Sequence, residues 1–410
     1  MQVSRKNIVI IIFLLTLIGL IWSRALLSIS TGLWFVVALV CLYKKQIVPK
    51  HEPLWLWSFS AIALWLPGLW QAPYANTNYD LLFSWLAYPA IALAAMVIHA
   101  VGVASVCRKI WIYGAAIAAL YPILWLLFHI TNALTLIKTG KAIPVFMDND
   151  HLRFSIFLAS AMLLSFSLEN KKIKRILILF FITAILLLSV RTGIVLAVII
   201  FISHWSVVIG QWWNRQNVAL RQAQGDKRST VYRLSSTFYR PSSIVYCLVL
   251  LFSLPLLYQK LNYTLYDYRQ FNTKGYDPNY SDGVRRAINN VSIKAVDNNC
   301  IVGVGWSEIN PTIQQYFQQQ YHQPAPFGWP FSQYLFWLLG GGIIGLFCSI
   351  AWLLFPIWLG RQTKEKVWII WSIAIATSCL VESNLSYQFG IALHAWPLWL
   401  ATSKYQRKMV

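Results

Sequence analysis

Apolar stretches follow one another along this chain with short polar breaks, and one break is far longer than the rest. The apolar stretches lie near 7–27, 28–43, 53–70, 81–99, 110–130, 152–168, 174–190, 192–210, 243–260, 331–356, 366–381 and 389–403. Runs of about 20 apolar residues with few charges predict transmembrane helices. The pattern therefore predicts an all-α polytopic membrane protein of about 12 spans. The long break, Leu261 to Pro330, divides it into an N-terminal membrane region (1–260, about nine spans), a large loop (261–330) and a C-terminal membrane region (331–410, about three spans). Within the loop, Tyr280-Ser281-Asp282-Gly283 reads as a turn. After it, Val284, Ile288, Val291 and Val296 fall near helical spacing, which predicts an amphipathic helix laid on the membrane-side core.

Composition agrees with the pattern. Hydrophobic residues make up 58% of the 410 and charged residues 11%, where a soluble domain carries about 25% charged. Charge then orients the spans. With the N-terminus inside, inner segments hold 23 of the 34 Lys and Arg but 4 of the 13 Asp and Glu, as the positive-inside rule requires. Both termini are then cytoplasmic and the 261–330 loop faces outward. The net charge of +21 is topology and gives no reason to expect nucleic acid. The first apolar run lacks a small-residue cleavage pattern and leads into another span, so it is expected to be retained. The basic stretch Asn214 to Ser243 reads as a cytoplasmic loop held near anionic lipid. Of the 6 cysteines only Cys300 lies in the outer loop, so that loop has no internal disulfide, and no C-x-x-C pair or clustered carboxylate set suggests a metal.

Charged groups at the edge of membrane spans are costly and tend to have a task. Arg191 stands alone in L-L-L-S-V-R-T-G-I-V-L, at the outer junction of the seventh and eighth spans. A snorkelling turn residue is the plain alternative. Asp148 to Ser155 (D-N-D-H-L-R-F-S) opens the sixth span and carries His151 and Arg153. A capped helix start explains its carboxylates but not Arg153, a cation that opposes the helix dipole. Arg285 and Arg286 sit in the first turn of the loop helix, about 100° apart, so at most one faces a given site. The following I-V-G-V-G-W (Ile301 to Trp306) reads as a tight turn rather than a phosphate cradle. Trp306, Tyr316, Phe317, Tyr321, Phe327 and Trp329 either stack on sugars or, the safer reading, pack the loop onto the membrane part. A polyprenyl diphosphate carrier needs a lipid groove, several cations (ideally Arg forks) and an aqueous chamber for its sugar. Outer arginines under a covering loop meet these demands. Guanidinium groups that stabilise the departing diphosphate reduce the need for a metal.

Four segments resemble the O-antigen ligase/polymerase superfamily of bacterial inner-membrane glycosyltransferases, and the resemblance runs from about the fifth span onward. L-S-V-R-T-G is similar to the family's SRT/SRG junction and maps its Arg onto Arg191. D-H-L-R-F-S is similar to a segment of relatives with this loop type. V-R-R-A-I-N-N followed by I-V-G-V-G-W resembles the Arg-helix-GxG segment, with Arg285 a better fit than Arg286. S-Q-Y-L-F-W-L-L-G-G-G-I-I-G-L resembles the start of the helix after the large periplasmic loop. In that last segment Ser332, Gly342 and Gly345 fit the pattern, but Phe331 stands where the family has the His thought to activate the acceptor.

The resemblance implies transfer of a glycan from undecaprenyl diphosphate to a lipid A–core hydroxyl on the periplasmic face of the inner membrane, without cofactor. Arg191 and Arg285 would hold the diphosphate, with Arg286, Arg153 and His151 as further binding candidates. His322 is the one His in the loop available as a base. A polymerase that uses a second lipid-linked glycan as acceptor is the nearest rival, and a flippase or a binding protein impaired by Phe331 is the rival of another class.

Overall fold

The computed structural model describes residues 2–47, 53–69, 79–138, 143–147, 150–188, 190–203, 258–259 and 261–402, and among them there is no strand. The helices are α1 Gln2–Trp22, α2 Arg24–Tyr43, α3 Pro53–Ser60 (continued as a 3-10 helix, Ala61–Leu69), α4 Tyr79–Trp85, α5 Ala87–Ala100, α6 Ala104–Phe128, α7 Ile130–Lys138, α8 His151–Ser165 and α9 Lys171–Leu188. They continue with α10 Arg191–Ser203, α11 at 261–274, α12 Ser281–Asp297, α13 Ile309–Tyr321, α14 Gln333–Thr363, α15 Lys366–Ser378 and α16 Gln388–Ala401.

Among the described residues, Arg5–Trp22, Arg24–Tyr43, Leu81–Ala100, Ala104–Phe128 and Gln333–Thr363 are long and apolar enough to cross a membrane. Four shorter apolar helices accompany them: Pro53–Leu69, His151–Ser165, Arg191–Ser203 and Lys366–Ser378. The protein is a multi-pass helical membrane protein. The span expected near 243–260 and the basic stretch 214–243 fall, apart from Tyr258 and Gln259, outside the described residues.

Several boundaries differ from the expected ones: α6 begins at Ala104, ahead of the expected 110, and Ser281 to Gly283, expected as a turn, open α12. The first two helices part at Ser23, because its extended backbone and its hydroxyl cap α2 through the Leu26 N–H at 3.3 Å. The helix after the loop runs to Thr363 and breaks at Gly342, whose φ of 64° and ψ of −165° are not helical.

The chain runs back and forth between two ends. At one, which we call the basic end, Arg108 at the start of α6 donates to the Leu400 carbonyl of α16 at 2.8 Å and to Ser167 after α8 at 3.2 Å. There His99 at the end of α5 meets Thr402 at 2.8 Å. At the other, the loop end, Trp306 donates to the Trp65 carbonyl at 2.7 Å and Trp85 to the Leu385 carbonyl at 3.0 Å. The core between them is rich in Trp because a spanning structure must satisfy its backbone internally. Pro356 removes the N–H that would serve the Trp352 carbonyl four residues back. The Trp57 indole donates to that carbonyl at 2.8 Å, and Trp352 returns a bond to the Trp57 carbonyl at 2.9 Å.

The loop helices are tied down at two places. Val284, Ala287, Ile288, Val291, Ala295 and Val296 of α12 are buried, so its apolar stripe faces inward as its spacing predicts. The segment after it crosses the α14 break as a strap. Val304 N–H donates to the Leu339 carbonyl (2.7 Å), Gly305 N–H to the Gly340 carbonyl (2.9 Å) and Ile343 N–H to the Cys300 carbonyl (2.9 Å). Gly303 and Gly342 both have positive φ, and a Cβ on Gly303 would lie 2.5 Å from the Gly342 nitrogen. The Gly-x-Gly is thus a close backbone crossing. Trp306, next in sequence, is 2% exposed and sits against Gly340 and the 3-10 helix.

Candidate functional site

The site is a set of three ion pairs at the loop end. Arg191 opens α10, and its Nη2 donates to Asp282 Oδ1 at 2.5 Å. Asp282 lies in the first turn of α12. That turn is held by Asp267 of α11, a buried carboxylate that accepts the N–H groups of Asp282 (3.0 Å) and Gly283 (3.1 Å). It caps the helix from outside, since Tyr280 at the N-cap offers no side-chain bond. Burial pushes the Asp267 carboxyl above the usual range, with the two N–H bonds and Arg191 pulling the other way.

One turn further along α12, Arg285 donates through Nη1 to Glu382 Oε2 at 3.0 Å and to the Val381 carbonyl at 3.2 Å. Its guanidinium carbon stands 4.6 Å over the Phe331 ring, a cation–π contact. Glu382, in the junction between α15 and α16, also feels Asp150 and Arg153. Asp150 caps α8 by accepting the Arg153 N–H at 3.0 Å, and its other oxygen lies 3.1 Å from Arg153 Nε. Geometry leaves that Nε without an aligned hydrogen bond, so the contact is ionic in character. The Arg153 guanidinium stacks 4.6 Å from the Tyr387 ring centre.

Arg191 and Arg285 thus pair with carboxylates on or against the start of α12, and the Arg153–Asp150 pair of α8 acts on Glu382 through its charges. Arg286 points elsewhere, to Asn272 at 2.9 Å and over Tyr268 at 4.3 Å, and ties α12 to α11. His151 is the first residue of α8, on the turn that carries Arg153.

The start of α14 adjoins these pairs. Phe331 N–H donates to Asn289 of α12 at 2.8 Å, and Ser332 is the N-cap of α14. Gly342 is the break under the strap, and a carbon on Gly345 would come 3.5 Å from Pro67. His322 closes α13 in the left-handed conformation (φ 57°), and its residue is exposed. Among the described contacts its side chain does not join the Arg285–Glu382–Phe331 group. A separate cleft of about 240 Å³, lined by Arg108, Lys109, Ser167 and Glu169 among others, lies at the basic end.

Residues 176–350 match the model of a known protein family, O-antigen ligase. Over that stretch, a little under half of its length, the chain is similar to the O-antigen ligase family. No curated protein matches the chain. The matched stretch holds Arg191, α11 to α13 with Arg285 and Arg286, the strap, and the start of α14 through Gly345. Arg153 and Glu382 lie on either side of it, and Glu382 meets Arg285 only in the fold. The O-antigen ligase match supports a function of the ligase or polymerase type on lipid-linked glycans. Sequence reasoning missed Glu382, Asn289 and Asp267. A single carboxylate in the short junction V-E-S-N-L-S-Y, between two apolar helices, was the signal available for the first of them.

Proposed function

We propose that the protein moves an oligo- or polysaccharide from an undecaprenyl diphosphate carrier to a hydroxyl at the periplasmic face of the inner membrane, with lipid A–core as acceptor. What supports this reading is that Arg191 and Arg285 pair with carboxylates on or against the start of α12, with Arg153 acting on the same Glu382. A diphosphate needs several guanidinium groups, each able to bond two oxygens. The Arg191 side chain is 49% exposed and that of Arg285 37%, and the contacts described occupy one terminal nitrogen of each. The remaining N–H groups of each fork can meet phosphate oxygens without breaking the ion pairs that hold the side chains in place. As the sugar–phosphate bond breaks, negative charge grows on the diphosphate, and fixed cations there lower the barrier.

Reconstitution tests it. The full chain in lipid vesicles, given undecaprenyl diphosphate-linked glycan, should pass the glycan to lipid A–core. Transfer to a second lipid-linked glycan instead identifies a polymerase. No transfer to either acceptor, with lipid-linked glycan carried across the bilayer, identifies a flippase and ends the reading.

A further inference from the structure

We propose that Glu382 is the base that takes the proton of the acceptor hydroxyl, beside a family position where Phe331 offers none. This rests on the glycan-transfer reading above and names one catalytic residue within it. Phe has no atom able to accept a proton. The Phe331 ring lies under the Arg285 guanidinium at 4.6 Å, and the same guanidinium holds Glu382 at 3.0 Å. One guanidinium therefore joins the Phe331 ring and the Glu382 carboxylate. The loop's buried carboxylate, Asp267, is spent on capping α12, and Asp282 faces Arg191.

The placement is built. Gln333, fully buried two residues after Phe331, donates its backbone N–H to the Cys379 carbonyl at 2.8 Å. Its side chain accepts the Leu385 N–H at 2.8 Å and donates to Ser386 at 3.2 Å. The start of α14 thus stitches down both sides of the junction that presents Glu382. The same helix start that would aim a His at 331 fixes the carboxylate instead. Pre-organisation of this kind is what a general base requires.

The surroundings also favour a proton acceptor. The Glu382 side chain is 17% exposed. Burial pushes its pKa above the ordinary carboxylate value and Asp150 adds to this, while Arg285 and Arg153 oppose it. Tyr387 is the other titratable group that feels Glu382. A diphosphate that engages Arg285 offsets the cation's hold on Glu382, so donor binding itself makes the carboxylate more basic.

The step balances. The acceptor O–H proton passes to the Glu382 carboxylate while the hydroxyl oxygen bonds to the anomeric carbon. The bond from that carbon to the phosphate oxygen breaks, and its electron pair leaves with the diphosphate held by Arg191 and Arg285. Glu382 then returns its proton to water.

The test uses the reconstituted full chain with undecaprenyl diphosphate-linked glycan and lipid A–core. Glu382→Gln should lower transfer by about 10²–10⁴-fold while binding of the lipid-linked donor falls by no more than about tenfold, since the amide oxygen can still accept from Arg285 and the base itself does not hold the donor. Adding Phe331→His to Glu382→Gln should restore at least about tenfold of that loss, and the acid limb of the pH–rate profile should move up toward the imidazole value of about 6.5. If Glu382→Gln is lost from the membrane, Glu382→Asp decides, since it keeps a charge for Arg285. A slowed rate with a shifted acid limb supports the base, and an unchanged rate and limb overturn it. Wild-type rates in Glu382→Gln overturn this inference alone. Loss of donor binding in proportion to loss of rate makes Glu382 a mere support for Arg285 and also overturns it. A wild-type protein that transfers nothing removes the glycan-transfer reading and this inference together.

Discussion

Arg285→Ala should lower glycan transfer by about 10²–10³-fold, the usual cost of removing one group that stabilises developing negative charge. The side chain makes three contacts at the loop end: Glu382, the Val381 carbonyl and the Phe331 ring. Arg285→Lys should fall between, because an ammonium keeps the charge but not the planar fork. Two readouts separate chemistry from folding. In cells the Ala variant should stay in the membrane and let carrier-linked glycan accumulate on the outer face. A flippase variant would leave that glycan inside, and a purely structural role would deplete the protein itself.

The second large effect is on stability. Gly342→Ala should remove most folded protein from the membrane. Gly342 occupies a backbone region (φ 64°, ψ −165°) that is essentially reserved for glycine, and a side chain there costs about 1–3 kcal/mol in strain. A Cβ would also run into the Ile301 carbonyl and the Val302 nitrogen. Relief requires the strap to lift, which breaks its three backbone bonds to α14 at about 1 kcal/mol each. The sum, roughly 4–6 kcal/mol, rivals the whole net stability of many proteins. The amount of protein in purified membranes and the denaturation midpoint in detergent check this. Near-normal values for Gly342→Ala would mean that the crossing is not needed.

The sequence made the apolar helices and the loop helix legible because hydropathy and 3.6-residue spacing act locally, although of about 12 expected spans five among the described residues are long and apolar enough to cross a membrane. It also separated Arg285 from Arg286, since adjacent residues on a helix point about 100° apart. In the fold one goes to Glu382 and the other to Asn272. Other features depend on contacts between distant segments and leave no local trace. The break at Gly342 hides in an apolar G-G-G run, and only the strap from residues 300–305 gives it a reason. Asp267 looks like any loop carboxylate until the start of α12 is placed on it. Glu382 lies 97 residues from Arg285, and no spacing rule joins them. The reverse also holds for His322: as a histidine in the loop it drew attention, yet it closes α13 as an exposed C-terminal residue.

The central claim is that Arg191 and Arg285 grip one diphosphate together. Its most direct test is the affinity of a short polyprenyl diphosphate, without sugar, for purified wild-type protein, Arg191→Gln, Arg285→Gln and the double variant, each confirmed folded by its thermal midpoint. Each single variant should bind about tenfold or more weakly, in line with the loss of a charge-assisted bond of about 1.5–3 kcal/mol. The double variant should lose less than the product of the two, because both arginines share one ligand. Folded single variants that bind the diphosphate as tightly as the wild type would contradict the account.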